Sequence, residues 1–288
     1  MNDKLQIIIS MIIFGTIPVF VRNVPLSSAE LALWRAAIAA ICIIFWQKAR
    51  KKPIRLKGMG SDIPMLFISG AAMGFNWILL FEAYKYTTVS VATLSYYFAP
   101  VLVMLACPVL FKERLTLRQV LCFVFSTIGL VLVINVGGFT ANGTHMKGVA
   151  FGLGAAVLYA CVMLMNKKIQ RVSGIDRTIC QFGAAAIVLL PYVLLTDGMH
   201  IASMDGKGWI FLLIVALIHS ATAYCLYFSG LKTIKGQEAA ILSYVDPLVA
   251  VIISFTLLKE TVTPLQLVGG AMILAFTLIN ELSPAQKK

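Results

Sequence analysis

Apolar residues in this chain run in stretches of about 20, separated by short polar clusters. Ten such runs stand out, at about 5–22, 28–47, 64–84, 88–111, 117–136, 148–166, 177–196, 208–230, 237–258 and 264–282. Each is long enough, as a helix, to cross a hydrocarbon core about 30 Å thick. Only helices and closed barrels satisfy their backbone groups in lipid, so long apolar runs predict helices. The first run follows Lys4 and superficially resembles a signal peptide. It lacks a small-residue cleavage site and nine more runs follow, so it is expected to remain as a helix. Little chain is left over for a soluble domain. The expected fold is an all-α polytopic membrane protein with ten transmembrane helices. Composition agrees: 60% of residues are apolar, 12% are charged and mean hydropathy is +0.90.

The polar punctuation repeats. A shift of 147 residues lays Phe81–Gln119 over Phe228–Gln266 without a gap, and 10 of the 39 positions are identical, Tyr97, Pro100, Lys112, Glu113, Thr116 and Gln119 among them. The same shift carries the other runs of the first half onto those of the second. The chain therefore divides into a five-helix repeat at 1–136, a polar linker at 137–147 and a second five-helix repeat at 148–288. Five is odd, so the second repeat enters the membrane upside down. Inverted repeats give two nearly equivalent conformations, one open to each face, which is the geometric basis of alternating access.

Charge sets the orientation. With the N-terminus in the cytoplasm, 18 of the 24 basic residues fall in cytoplasmic segments, including Lys48, Arg50, Lys51, Lys52, Arg55 and Lys57 between the second and third runs. Five fall outside (Arg22, Lys85, Lys147, Lys207 and Lys259), and Arg35 lies within the second run. The positive-inside rule then places both termini in the cytoplasm. The net charge of +12 is a topology signal, with weak affinity for anionic headgroups as a by-product. It is no nucleic-acid footprint.

The repeated Lys-Glu-x-x-Thr-x-x-Gln segment looks structural. Thr116 with Gln119, and Thr263 with Gln266, have the spacing of capping boxes, and Pro264 suits a first helical position. Glu113 and Glu260 end the fourth and ninth runs, on opposite sides of the membrane. A solvated helix end and a salt bridge that opens with each state are both open readings for them. Ten runs in two inverted halves, Arg35 within the second, and Pro100…Lys112-Glu113 matched by Pro247…Lys259-Glu260 resemble the EamA branch of the drug/metabolite transporter superfamily. That resemblance implies a central cavity lined by runs 1, 3, 4, 6, 8 and 9, with runs 5 and 10 peripheral. It also implies a plasma (bacterial inner) membrane location.

Several polar residues break the repeat. Asp246 lies mid-run where its mate is Ala99, and an intramembrane carboxylate is expensive enough to suggest function. It is a candidate coupling group, gaining a proton on one side and losing it on the other. Asp246-Pro247 also fits a cap restarting a broken helix, so Pro100 and Pro247 are candidate helix breaks. His219, whose mate is Ala72, could carry a proton or donate one hydrogen bond to a neighbouring helix. Asn76 could line the cavity or bridge helices. Arg35 is expected to pair with backbone carbonyls or with Glu30, the alternative being to bind a substrate carboxylate. Trp77, Tyr96, Tyr97, Tyr159, Tyr224 and Tyr244 form a candidate substrate-binding set, since a tyrosine-lined pocket suits a small amphipathic ligand.

Other chemistries lack their motifs. Six cysteines fall in six different runs with no C-x-x-C, which indicates neither a metal site nor a disulfide framework. No H-E-x-x-H, G-x-S-x-G or Walker A sequence is present, so neither an intramembrane enzyme nor coupling to ATP is expected. No cofactor is called for. Few fixed positive charges at depth disfavour phosphorylated substrates. The sequence favours a secondary transporter, an exporter, of a small neutral, zwitterionic or cationic metabolite such as an amino acid or amphipathic drug. The alternative is a lipid scramblase or channel-like facilitator. The expected partners are the substrate, the bilayer and protons as a candidate coupling ion, with the chain a monomer or weak homodimer.

Overall fold

The computed structural model describes residues 3–51, 60, 62–111, 116–135, 143–169, 172, 174–230, 242–243 and 245–281. These are helical nearly throughout. The helices are α1 (Asp3–Val21), α2 (Ser28–Ala49), α3 (Ile63–Tyr86), α4 (Val89–Tyr96), α5 (Ala99–Phe111), α6 (Leu117–Asn135), α7 (Gly143–Lys168), α8 (Gly174–Thr196), α9 (Gly206–Gly230), α10 (Val245–Thr256) and α11 (Pro264–Glu281). Seven helical segments among the described residues are long and apolar enough to cross a membrane; α6, α10 and α11 carry shorter apolar stretches. The molecule is an all-α, multi-pass membrane protein.

Helix starts follow from local sequence. Ser27 accepts from the Glu30 amide, Thr88 from Val91 and Asp205 from Gly208, each satisfying an amide that the first turn leaves unpaired. Both expected capping boxes form. The Thr116 and Thr263 amides donate to Gln119 and Gln266 Oε1, and the two Thr hydroxyls accept from the Gln amides.

The duplication is visible in the packing. Helix α1 packs against α9 and α10 of the other half, and α7 packs correspondingly against α3, α4 and α5. Helix α2 meets both α8 and α9, while α8 meets both α2 and α3. Helix α4 meets α10, and α6 meets α11. Exchanging the halves maps each of these contacts onto another or, for α2–α8, α6–α11 and the contact of the fourth run with the ninth (α4–α10), onto itself, as a two-fold relation between inverted repeats requires.

Close approaches occur where glycine allows them. A Cβ on Gly70 would lie 2.5 Å from the Gln181 carbonyl, so the Gly70-x-x-x-Gly74 face lets α3 lie directly on α8. Gln181 then ties three helices together, donating to Ser69 Oγ on α3 and Asn166 Oδ1 on α7, each at 2.8 Å. Helices α6 and α11 pair at the periphery, with Phe125 stacked on Phe276 at 4.6 Å. Leu117, Val120, Val124, Leu265 and Val268 of this pair remain exposed, which suits lipid contact.

Candidate functional site

An interrupted segment of the first half meets the start of a helix of the second half inside the bundle. Helix α4 stops at Tyr96, the chain turns through Tyr97 and Phe98, and α5 begins at Ala99. Pro100 is tolerated there because the first turn of a helix needs no amide from it. The break thus lies just ahead of the proline. In the second half, α10 starts at Val245, so Asp246 and Pro247 share its first turn. The break in the first half touches the start of α10: the Tyr97 hydroxyl donates to Asp246 Oδ2 at 2.5 Å. This bond, rather than a helix cap, is the side-chain hydrogen bond the structure shows for Asp246. Gly15 makes room for it on α1. A Cβ there would lie 2.6 Å from the Asp246 carbonyl oxygen and 2.7 Å from Val249 Cβ.

Around this junction lies a cavity of about 460 Å³. Tyr96, Tyr97, Tyr159, Tyr224 and Trp77 of the sequence-derived set all line it, together with Asp246 and Pro100. Tyr96 stacks on Tyr159 at 5.1 Å, and Tyr224 meets Phe14 edge-on at 5.1 Å. The lining helices are α1, α3, α4, α5, α7, α9 and α10, with Arg35 of α2. Helices α6 and α11 contribute nothing to it. Tyr244 and Glu113 lie outside the described residues.

Arg35 departs from the expected pairing. It is 3% exposed, and its Nε donates to Ser220 Oγ at 2.7 Å. Its guanidinium lies 4.4 Å from the Trp77 ring centroid and 5.6 Å from that of Phe81. Glu30 is five residues away, about 140° round the helix, so the two side chains point apart. Glu30 instead accepts from the His200 and Ile201 amides at 2.8–3.0 Å, holding the segment before α9.

Two other candidates lie off the cavity wall. Asn76 Nδ2 donates to the Ala155 carbonyl at 2.6 Å, bridging α3 and α7. His219 is buried, with Nε2 2.9 Å from Thr16 Oγ1 on α1. Both bond to other helices. His219 and Ser220 sit in a π-helical stretch of α9, Ile214–Thr222. Such turns are rare and cluster at functional sites.

A second cavity, about 660 Å³, opens beyond Phe81 and Tyr84, which line both. Its floor is a polar cluster. Arg22 Nη1 reaches Glu260 Oε1 at 2.7 Å, and Arg22 also donates to the Tyr84 and Thr87 carbonyls. Glu260 Oε2 accepts from the Val89 amide at 2.8 Å and from the Ser254 hydroxyl. Glu260 therefore joins the ends of α1, α3, α4 and α10, and is no merely solvated helix end. Arg22, Tyr84 and Ser220 were missed from sequence. Tyr84 was recoverable, since Trp77, Phe81 and Tyr84 fall on one helical face. Arg22 and Ser220 carried no local signal, because their partners lie 238 and 185 residues away.

Comparison with known proteins bears on this arrangement. The sequence model described as the EamA-like transporter family matches residues 4–135 and again 146–281. An uncharacterized transporter of Bacillus subtilis is 28% identical over 272 residues, covering 94% of this chain and 86% of that protein. An uncharacterized transporter of Archaeoglobus fulgidus is 30% identical, covering 95% and 94%. A Salmonella typhimurium protein named "Probable amino-acid metabolite efflux pump" is 30% identical over 181 residues, 59% of this chain and 60% of that one. A crystal structure superposes with a TM-score of 0.67 over 96% of both chains at 16% identity, a likeness of fold alone.

Proposed function

The chain belongs to the EamA-like transporter family, and on that premise we propose that it is a secondary transporter exporting a small neutral, zwitterionic or cationic metabolite. Amino acids and amphipathic drugs are the classes to test first. The observation that carries this reading is the aromatic cavity at the junction of the α4–α5 break with the start of α10, where Tyr97 of one repeat holds Asp246 of the other. Interrupted helices at mid-membrane free polar groups for a ligand without exposing them to lipid. The word "efflux" in the Salmonella relative's name supports the direction.

The geometry supports an alternating-access cycle. At the Arg22 end, Phe81 and Tyr84 line both cavities and the Arg22–Glu260 ion pair lines the second, so this cluster is the proposed closure of that end. Exchange of the two repeats' conformations would open this end and close the other. A cationic or ammonium group entering the cavity competes with the Tyr97 hydroxyl, and with a proton, for the Asp246 carboxylate. That competition is how substrate movement would be tied to a proton gradient.

The test uses purified protein with leucine, phenylalanine, spermidine and tetraphenylphosphonium as probes. Each is scored by thermal shift and by counterflow in proteoliposomes. A ligand that binds only the folded state stabilises it by about 2.7 kcal/mol at 100 times its Kd. At least one class should raise the melting temperature and exchange with saturation. Scrambling of labelled lipid with no saturable metabolite exchange would point to a scramblase instead.

A further inference from the structure

We infer that Arg35 is a specificity-determining residue that binds the carboxylate of a zwitterionic substrate, with Ser220 positioning its guanidinium and Asp246 receiving the substrate's ammonium group. The inference rests on the central cavity being the substrate site. Its starting point is an imbalance of charge. A guanidinium buried at this depth is expensive unless paired and hydrogen-bonded. Among the described residues no carboxylate pairs with Arg35, and its hydrogen bond is the single one from Nε to Ser220. The ring faces of Trp77 and Phe81 attract the cation but accept nothing from the in-plane N–H groups at its tip. Those groups, on a side chain that lines the cavity, suit a carboxylate, which the guanidinium fork binds bidentately.

The support for Arg35 is built to orient it. The Ser220 hydroxyl donates to the Val215 carbonyl at 3.0 Å, a contact across five residues within the π-helical stretch. With its proton so engaged, Ser220 Oγ can only accept from Arg35, which fixes Nε and with it the guanidinium plane. The fold does not demand the charge. Under the 147-residue shift the mate of Arg35 is Phe182, an apolar residue packed edge-on to Trp77 at 5.2 Å. Asp246 lines the same cavity from α10 without forming an ion pair to Arg35. One cation and one acid, held apart on α2 and α10, match a ligand carrying both charges better than an organic cation.

The test compares leucine, methionine and phenylalanine with their carboxamides and with the corresponding decarboxylated amines, by titration calorimetry and counterflow. At least one amino acid should bind wild-type protein at least about 10-fold more tightly than its amide, the scale of a hydrogen-bonded charge. Arg35→Gln should bring that ratio close to one. Ser220→Ala, which keeps the charge and loses the anchor, should narrow the ratio by a few-fold; it carries the test if Arg35→Gln does not fold. Equal wild-type affinity for acid and amide, or a ratio unmoved by Ser220→Ala and by a folded Arg35→Gln, would overturn the assignment. If only spermidine or tetraphenylphosphonium binds, the zwitterion is wrong and the cavity stands. If no probe of any class binds, both fall.

Discussion

Tyr97 and Asp246 sit 149 residues apart in sequence and 2.5 Å apart in space, one from each repeat. At the residue scale this contact is where substrate and proton would compete. Asp246→Asn preserves size and can still accept from Tyr97, but no longer titrates. The variant should fold, should still exchange substrate across liposomes but with a raised KM, since the amide offers the substrate's ammonium no charge, and should lose accumulation driven by an imposed pH gradient. Accumulation at the wild-type level would reduce Asp246 to a structural acceptor. Asp246 was legible because a carboxylate at depth with an alanine as its repeat mate has few bland explanations. Tyr97 was legible because it is repeated. Asn76 and His219 carried the same polar-at-depth signal, yet bond to neighbouring helices. Sequence depth alone does not tell a cavity-facing polar group from an interhelical one, since the two differ by rotation about the helix axis.

At the element scale the Arg22–Glu260 cluster draws four helix ends together. The turn after α10 is shaped for it: Lys259 takes a left-handed backbone (φ 52°), which costs a non-glycine residue about 1–2 kcal/mol. That conformation brings the Glu260 amide onto the Ser254 carbonyl at 2.9 Å. If the cluster keeps this end closed, Glu260→Gln should raise labelling of a cysteine placed at Thr93, in the cavity wall, several-fold when an impermeant thiol reagent is added from that side. The background would lack the native cysteines. The paired swap Arg22→Glu with Glu260→Arg should restore much of the protection. Unchanged labelling in Glu260→Gln would make the pair a helix-end contact with no gating role. The motif holding Glu260 was readable from its repetition, and its capping threonines were read correctly. The partner was not, because ion pairs between distant helices leave no spacing in the sequence.

At the scale of the whole molecule, the alternation of helices gives the bundle two distinct ends. Arg22 meets Glu260, Thr87 lies 2.9 Å from His145, and Lys147 reaches the Tyr86 hydroxyl at 3.2 Å, so the ends of α1, α3 and α10 and the start of α7 share one end. This sidedness was already implied by hydrophobic runs too closely spaced to avoid crossing back and forth. What periodicity left out is the interior of the runs. The fourth run reads as one span from 88 to 111 with Pro100 as a candidate break; α4 and α5 are separated at Tyr97–Phe98, just ahead of that proline. Apolarity is satisfied either way, so the proline was the one signal of the turn. Which end faces the cytoplasm is proposed from charge: the side carrying 18 basic residues is expected inside and the side carrying five outside. Single cysteines at Lys51 and Lys168 should therefore be shielded from an impermeant thiol reagent in intact cells, while cysteines at Gly143 and Asp205 should label. Lys51, Lys168, Gly143 and Asp205 are all exposed at helix ends, so protection would report the membrane rather than burial. Labelling at Lys51 and Lys168 with protection at Gly143 would invert the molecule, placing the Arg22–Glu260 cluster on the cytoplasmic face.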